Sequence, residues 1–263
     1  MTSLTDEPVW VWGLPVSSDT FEQALDRIDR LIVAGEASFF ITANLNYAML
    51  TDADDRLKRL NDRAAFLLAD GMPLVWWSRL GPRPLPERVA GSDLIYGMCE
   101  RAAAKGHSVY LLGAAPGVAD EAAAALVKRY PGLQIVGVEC PPFRKLSADE
   151  EREQIARIRT ARPDILFVAF GQPKGELWIA ERLERLGVPV AVQVGASLDF
   201  VAGRMRRSPM WMRKTGLEWV YRLAQEPRRL ARRYLNNIAF LLRAVFAARF
   251  RRERRPGRRA QLL

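Results

Sequence analysis

Six short, mostly apolar runs occur within the first two hundred residues of the chain. Each is too short for a core helix and lacks the period of an amphipathic helix, which is typical of strands buried on both faces of a sheet. Segments with helix start and stop signals separate them. The six predicted strands are Phe39–Ala43, Ala64–Ala69, Val109–Gly113, Gln134–Val138, Ile165–Phe170 and Val190–Val194.

Helix boundary signals lie between the predicted strands. Ser147, with Glu150 three residues later, has the spacing of a capping box. The predicted helices start at Ser18 or Asp19, at Gly117-Val118 and at Ser147, and end at Gly35, at Tyr130-Pro131-Gly132 and before Pro163. Short buried strands that alternate with helices predict an α/β fold, a parallel sheet with helices on both faces.

The charge of the chain changes sharply near its end. The 263 residues are 49% hydrophobic, enough for one α/β domain, and carry a net charge of +10. From Arg204 onward, 18 Lys and Arg stand against 3 Asp and Glu, a net +15, whereas the preceding part has 22 against 27, a net −5. We therefore predict an α/β body over 1–203 and a basic helical appendage over 204–263, which needs an anionic partner.

A helix is predicted from Pro227, because apolar residues recur there every three or four positions. This face comprises Leu230, Tyr234, Ile238, Leu241 and Val245. Flanking arginines and nearby aromatic residues are typical of a helix in a membrane interface, and the Arg249 to Arg259 cluster adds attraction for anionic lipid. The face could instead pack on the body or on another subunit. The arginines could also bind nucleic acid, although no helix-turn-helix, RNA-binding or zinc signature accompanies them.

Several classes of protein are disfavoured. The N-terminus has no basic start followed by an apolar run, so we expect no signal peptide and a cytoplasmic location. The late apolar stretch Leu235–Phe250 is interrupted by polar residues and falls short of the roughly 20 apolar residues that span a bilayer.

Cys99 and Cys140 have no metal-ligand spacing. His107 precedes a strand, away from the expected cleft, so we predict no histidine triad, no metal and no cofactor.

Polar and glycine-rich residues follow five of the predicted strands. In an open α/β sheet, ligands bind beyond the carboxyl ends of the strands, so these residues predict one cleft along that rim. They are Thr42-Ala43-Asn44, Asp70-Gly71, Gly113-Ala114-Ala115-Pro116-Gly117, Gly171-Gln172-Pro173-Lys174-Gly175-Glu176, and Gly195 with Asp199.

Asp70 is the candidate acid–base residue of this rim. Its carboxylate could accept the proton of an attacking hydroxyl as a general base, or it could be a turn residue that caps the next helix. Thr42 and Asn44 could hydrogen-bond a sugar or the neighbouring carboxylate, or cap the helix after their strand.

Other rim residues could bind the phosphates or ribose of a nucleotide. Gly113 to Gly117 could cradle pyrophosphate at a helix N-terminus, although it lacks P-loop and dinucleotide spacing and could be a plain tight turn. Lys174 could neutralise a diphosphate and Glu176 could hold ribose hydroxyls, or both could be surface residues at a helix start. Arg88, taken alone, is expected to be solvated.

Taken in order along the chain, thirteen short motifs form a specific combination. They are Thr42-Ala43-Asn44, Ala69-Asp70-Gly71, Arg88-Val89-Ala90-Gly91-Ser92-Asp93, Leu111-Leu112-Gly113, Pro131-Gly132-Leu133, Gly171-Gln172-Pro173-Lys174, Val194-Gly195, Asp199-Phe200, Ala202-Gly203, Arg207-Ser208-Pro209, Leu217-Glu218-Trp219, Tyr221-Arg222-Leu223 and Glu226-Pro227-Arg228-Arg229. From about Val9 to Leu235, the sequence therefore resembles the WecG/TagA/CpsF glycosyltransferase family.

The resemblance implies a Rossmann-like body and a metal-independent, inverting transfer from a UDP-sugar to a sugar on undecaprenyl diphosphate. The product would feed exopolysaccharide, capsule or cell-wall polymer synthesis. Asp70 matches the family's catalytic base. Donor and substrate binding would fall to Thr42, Asn44, Arg88, Gly113, Gln172, Lys174, Glu176, Gly195 and Asp199. Diphosphate and lipid binding would fall to Arg207, Arg222, Arg229 and Arg232.

The expected partners follow from that reaction. They are the UDP-sugar, the undecaprenyl-diphosphate-linked acceptor and an anionic membrane surface, with no nucleic acid and a homo-oligomer left open. The appendage would place the protein peripherally on the cytoplasmic face of the inner membrane. The alternative function is a non-catalytic membrane-binding scaffold of a polysaccharide assembly complex.

Two departures from the family pattern concern the donor sugar. Gly175 replaces the glutamine of the usual Pro-Lys-Gln-Glu, and the glycine-rich stretch after the fourth predicted strand reads Cys140-Pro141-Pro142-Phe143. The second form resembles exopolysaccharide members of the family. The donor is therefore left open between a hexose such as glucose, which is favoured, and N-acetylmannosamine.

Overall fold

The computed structural model describes residues 7–253 of the chain. The strands are β1 Val9–Val11, β2 Leu14–Val16, β3 Phe39–Ala43, β4 Leu67–Ala69, β5 Ser108–Gly113, β6 Gln134–Glu139, β7 Ile165–Ala169 and β8 Val190–Gln193. The helices are α1 Phe21–Ala34, α2 Leu45–Ala53, α3 Asp55–Arg63, α4 Met72–Ser78, α5 Gly91–Lys105, α6 Val118–Arg129, α7 Ala148–Ala161, α8 Lys174–Leu186, α9 Ser197–Val201, α10 Met210–Lys214, α11 Glu218–Gln225 and α12 Pro227–Glu253.

The strands form one sheet in the order β1-β2-β4-β3-β8-β7-β5-β6. β1 and β2 pair antiparallel, and the other pairings are parallel. The predicted Rossmann-like α/β class, with helices on both faces, is confirmed, and so are all six predicted strands. β4 starts later than predicted, because Ala64 is still the C-cap of α3.

The hairpin of β1 and β2 was not predicted from the sequence. Each strand has three residues, too few to show an apolar run. Trp12 and Gly13 join them with φ values of 49° and 79°. Two positive φ values in succession are typical of the turn that matches the twist of a two-residue hairpin. Trp12 is a bulky residue that rarely adopts this conformation, so the turn carries a weak sequence signal.

The predicted cap of α1 is wrong by one or two residues. Thr20, not Ser18 or Asp19, is the N-cap and accepts from the backbone N–H of Gln23 at 3.4 Å. Asp19 instead forms an ion pair with Arg27 at 3.3 Å. The predicted stops of α1, α6 and α7 and the capping box of α7 are confirmed.

The core lies along the central strands. Every residue of β3, β5 and β8 is buried. The rings of Phe40 and Phe66 stack at 4.9 Å between centroids, and each buried aromatic side chain contributes about 1.5–3 kcal/mol. This close-packed sheet gives the residues at its strand ends a fixed geometry.

The described residues divide into two units, which separate between Pro209 and Met210. The second unit contains α10, α11 and α12. Trp219 of α11 contacts Tyr234 of α12 edge-on, with 5.7 Å between ring centroids. No helix in the described part of the chain is both long and apolar enough to cross a membrane.

The buried line of α12 differs from the predicted apolar face. Leu230, Asn237 and Phe240 are buried, whereas Ile238 and Val245 are 46% and 48% exposed. The predicted apolar face is therefore buried at Leu230 and exposed at Ile238 and Val245. The arginines from Arg254 to Arg259 lie outside the described residues.

Candidate active site

Five neighbouring strand ends form a common rim. Parallel pairing aligns Ala43 with Ala69 and Gly113 with Ala169, so the carboxyl ends of β3, β4, β5 and β7 reach similar heights. β8 lies between β3 and β7 and ends in the same direction. The rim predicted from sequence therefore exists, and it carries the residues that follow each strand.

Asp70 lies one residue beyond β4. Its backbone N–H donates to the Ala43 carbonyl oxygen at 2.8 Å, which fixes it beside the end of β3. α4 begins with Gly71 as its N-cap, so Asp70 stands outside the capping position. Of the two interpretations of Asp70, the structure favours the carboxylate at the rim over the helix cap.

The first turn of α5 lies against Asp70 and Thr42. A Cβ added to Gly91 would be 3.1 Å from Thr42 Oγ1 and 3.6 Å from Asp70 Oδ2. The Thr42 side chain is buried, as expected for a residue inside β3. The hydroxyl, the carboxylate and the start of α5 thus meet in one place, and glycine at 91 leaves room for the two polar side chains.

Asn44 has the capping role. Asn44 is the N-cap of α2, and its side chain accepts a hydrogen bond from the backbone N–H of Tyr47 at 3.1 Å.

Gln172 connects the loop after β7 to β3, because its Nε2 donates to the Thr42 carbonyl oxygen at 3.1 Å. Gln172 therefore spans the end of β8 and helps to hold the rim together.

Two arginines predicted as ligand residues share one carboxylate beside α5. Arg207 Nη2 lies 2.7 Å from Asp93 Oδ1 and donates to Ser92 Oγ at 2.7 Å. Arg88 Nη2 lies 3.5 Å from Asp93 Oδ2. Arg88 is mostly buried, with 14% of its side chain exposed, so the expectation that it is solvated is wrong.

Three residues with positive φ lie at the end of β5 and in the loop that follows it. Gly113, Ala114 and Gly117 have φ values of 107°, 65° and 79°. A Cβ on Gly113 would lie 3.0 Å from the Ala169 backbone, so this position requires glycine. Gly117 is the N-cap of α6 and offers no side chain to its first N–H groups, the arrangement that suits a phosphate at a helix N-terminus.

The remaining predicted residues are placed as follows. Lys174 is exposed at the start of α8, Gly195 follows β8 with φ 58°, and Asp199 lies in the first turn of α9. Arg222 is in α11, and Arg229 and Arg232 are exposed on α12, where Arg229 forms an ion pair with Glu226. These three arginines belong to the second unit.

Comparison of the sequence with known protein families identifies the family of this chain. The sequence model of the glycosyl transferase WecG/TagA/CpsF family matches residues 9–255. The chain belongs to this family.

Individual members of the family are similar over most of their length. A Bacillus spizizenii (strain W23) protein named N-acetylglucosaminyldiphosphoundecaprenol N-acetyl-beta-D-mannosaminyltransferase is 32% identical over 197 residues, 75% of this chain and 75% of that protein. A Staphylococcus aureus (strain MW2) protein of the same name is 30% identical over 227 residues, 84% of this chain and 86% of that protein.

The departure from the WecG/TagA/CpsF pattern at Gly175 has a steric reason. A Cβ at Gly175 would lie 2.6 Å from Gln193 Oε1, closer than real Cβ contacts allow. The Gln193 side chain is buried, and its Oε1 accepts from the backbone N–H of Phe170 at 3.3 Å. The side chain of Gln193 on β8 thus fills the space beside Gly175 of α8. In the sequence, the sign of this residue is a polar side chain inside an otherwise apolar strand.

Glu176 is buried rather than a surface residue of α8. Burial raises the pKa of Tyr47 above its usual range, and the nearby Glu176 charge raises it further. The Tyr47 hydroxyl donates to Asn61 Oδ1 at 2.7 Å. Glu176 therefore lies close to a buried polar group under the rim, and the interpretation of it as a surface charge is wrong.

The second departure from the family pattern lines a cavity of about 260 Å³. Its lining includes Cys140, Pro141 and Pro142, together with Glu139 and Arg157. Cys140 Sγ donates to the Ala114 carbonyl oxygen at 3.3 Å, which ties this segment to the loop after β5. The sequence did not predict this cavity.

Within residues 7–253, no group of three or more His, Cys, Asp or Glu side chains could hold a metal ion. The cations that contact Asp93 beside the described rim are the guanidinium groups of Arg88 and Arg207. Sequence reasoning did not single out Gly91, Ser92 or Asp93, although all three follow Arg88 in the motif Arg88-Val89-Ala90-Gly91-Ser92-Asp93.

Proposed function

We propose that the chain is an inverting glycosyltransferase that moves a sugar from a UDP-sugar to a sugar linked to undecaprenyl diphosphate. The observation that carries the proposal is the meeting of Asp70, Thr42 and the start of α5 at the sheet rim, with Arg88 and Arg207 bound to Asp93 in the first turn of that helix. A base and a cation pair in one place are what the transfer needs.

Asp70 acts on the acceptor. The acceptor hydroxyl attacks the anomeric carbon of the donor sugar, and Asp70 takes the proton from that hydroxyl. The bond between the anomeric carbon and the diphosphate oxygen breaks, and UDP leaves from the opposite face. A direct displacement of this kind inverts the anomeric configuration.

Guanidinium groups act on the leaving group. A diphosphate gains negative charge as its bond to the sugar breaks, and arginines can donate two parallel N–H bonds to phosphate oxygens. Arg88 and Arg207 supply permanent positive charge at the α5 end of the rim. We assign the same role to Arg222, Arg229 and Arg232 of the second unit, in agreement with the family resemblance.

The donor is a hexose such as glucose or a sugar of the N-acetylmannosamine type. The names of the two relatives favour N-acetylmannosamine and an N-acetylglucosaminyl-diphosphoundecaprenol acceptor. The altered Gly175 and Cys140-Pro141-Pro142 positions favour a different sugar, so we give preference to a hexose. The resulting lipid-linked sugar would enter exopolysaccharide, capsule or cell-wall polymer synthesis.

A panel of UDP-sugars tests the proposal directly. Each donor is incubated with an undecaprenyl-diphosphate glycoside, UDP release is followed, and the anomeric configuration of the product is determined. We expect one donor to give an inverted product. No UDP release with any donor, or a product of retained configuration, would refute the proposed transfer.

We further propose that α12 docks the protein peripherally on the cytoplasmic face of the inner membrane. Five exposed apolar residues recur along one side of this helix, and the exposed Arg232 and Arg243 accompany them. They are Leu235, Ile238, Leu242, Val245 and Phe246. Apolar side chains that enter the interface and arginines that attract anionic lipid are the two requirements for such docking.

Vesicle sedimentation with the full chain tests the docking helix. Ile238→Glu with Leu242→Glu should abolish binding to vesicles of anionic lipid, whereas Val127→Glu, an equally exposed apolar site on α6, should leave it unchanged. Equal binding by both variants would contradict docking through α12.

A further inference from the structure

Asp93 binds two arginines with its two carboxylate oxygens. Oδ1 lies 2.7 Å from Arg207 Nη2, and Oδ2 lies 3.5 Å from Arg88 Nη2. Arg207 Nη2 also donates to Ser92 Oγ. The two arginines are far apart in the sequence, so Asp93 is the common anchor that brings their guanidinium groups to one turn of α5.

This anchor lies on the same helical turn as the residue that contacts the proposed base. Gly91, two residues before Asp93, is the residue whose added Cβ would touch Thr42 and approach Asp70 Oδ2 at 3.6 Å. One helical turn therefore carries both the contact with Asp70 and the anchor for the arginines.

Arg207 retains a donor beyond its contacts with α5. A guanidinium group has five N–H donors, and the contacts to Asp93 and Ser92 both use Nη2. Nε of Arg207 is buried and has no hydrogen-bond partner in the described part of the protein. A buried donor of a charged group without an acceptor is unfavourable.

We propose that Asp93 is a positioning residue, which holds Arg207 and Arg88 in place to bind a diphosphate. The proposal rests on the proposed function, which supplies two diphosphates, that of the UDP-sugar and that of the lipid-linked acceptor. Asp93 touches neither of them, and it acts through the orientation of the two guanidinium groups.

The test compares Asp93→Asn with Glu151→Gln. Glu151 also binds one arginine with each oxygen, Arg182 and Arg185, but on α7 and α8, away from Asp70. Asp93→Asn should raise the dissociation constant of UDP or of pyrophosphate, measured by calorimetry, by roughly tenfold or more, the effect of losing one charge-assisted hydrogen bond. Glu151→Gln should leave both constants unchanged.

Separate arms identify the diphosphate. A weaker binding of UDP assigns the site to the donor, and an increased KM for a diphosphate-linked acceptor with unchanged UDP binding assigns it to the acceptor. Asp93→Glu, which keeps the charge, should recover part of the lost affinity. Unchanged UDP binding, pyrophosphate binding and acceptor KM in folded Asp93→Asn would overturn the proposal.

A second variant tests the proposal if Asp93→Asn does not fold. If Asp93→Asn has no cooperative thermal transition, Ser92→Ala decides, because it removes the other acceptor of Arg207 Nη2 without changing a charge. We expect weaker pyrophosphate binding in Ser92→Ala, and wild-type binding would overturn the proposal. Failure of the wild type to transfer any sugar would refute the proposed function, whereas the pyrophosphate measurements test Asp93 independently of transfer.

Discussion

Gly91 and Asp70 face each other at the rim, and a Cβ on the glycine would stand 3.6 Å from Oδ2 of the carboxylate. The same atom would stand 3.1 Å from Thr42 Oγ1. The start of α5 therefore sets how much room the proposed base has. This explains why small changes on α5, which itself supplies no base, should affect catalysis.

Gly91→Ala should lower kcat by roughly tenfold to a hundredfold, because Thr42 must shift by a few tenths of an ångström and alter the position of Asp70. The thermal transition should change little. Gly81→Ala, in a turn where the added Cβ would have an ordinary contact of 3.4 Å, is the matched control. Equal kcat values for the two variants would show that room beside Asp70 does not matter.

Gly175→Ala should destabilise the protein by about 1–3 kcal/mol, because the new Cβ would overlap Gln193 Oε1. In the Gln193→Ala background the same change should be neutral or stabilising, since alanine favours a helix over glycine by about 1 kcal/mol. Urea unfolding of the four proteins measures this coupling. An identical cost of Gly175→Ala in both backgrounds would contradict the steric account.

Glu139 should make the stability pH-dependent in acid. Burial opposes its ionisation, but hydrogen bonds from Arg157 and Gln154 outweigh burial and hold the pKa of Glu139 below its usual 4.5. Its contribution is therefore complete above pH 4.5 and is lost as the pH falls through the lower folded-state pKa. Glu139→Gln should flatten the fall of unfolding free energy below pH 4.5. Parallel curves for variant and wild type would refute this assignment.

Removal of divalent metal should leave transfer unchanged, because we assign the neutralisation of the diphosphate to arginines. UDP release is measured before and after dialysis against EDTA, with a metal-dependent glycosyltransferase treated in parallel as the control. A loss of activity that Mg²⁺ or Mn²⁺ restores would contradict this part of the proposal.

The strands and the rim could be predicted from sequence because they depend on local signals. Buried parallel strands appear as apolar runs, and polar residues at their ends mark the ligand side. Asp93 could not be identified in this way, because its importance comes from Arg207, which is distant in sequence. The steric pairing of Gly175 with Gln193 could not be predicted for the same reason, because steric exclusion between two elements leaves no periodic pattern in the sequence.

The buried line of α12 shows a different limit of sequence reasoning. Ile238 and Val245 fit the helical period of an apolar face, yet both are exposed while Asn237 is buried. A pattern of apolar residues identifies a helix more reliably than it identifies the side that packs, because two apolar stripes on one helix have the same period.

The central claim, that Asp70 is the base of the transfer, is tested most directly by the turnover of Asp70→Asn with the donor and lipid-linked acceptor identified by the panel. We predict a loss of kcat of at least about a hundredfold with an unchanged thermal transition, while the exposed-site control Asp55→Asn keeps wild-type turnover. Wild-type turnover in a folded Asp70→Asn enzyme would contradict the account.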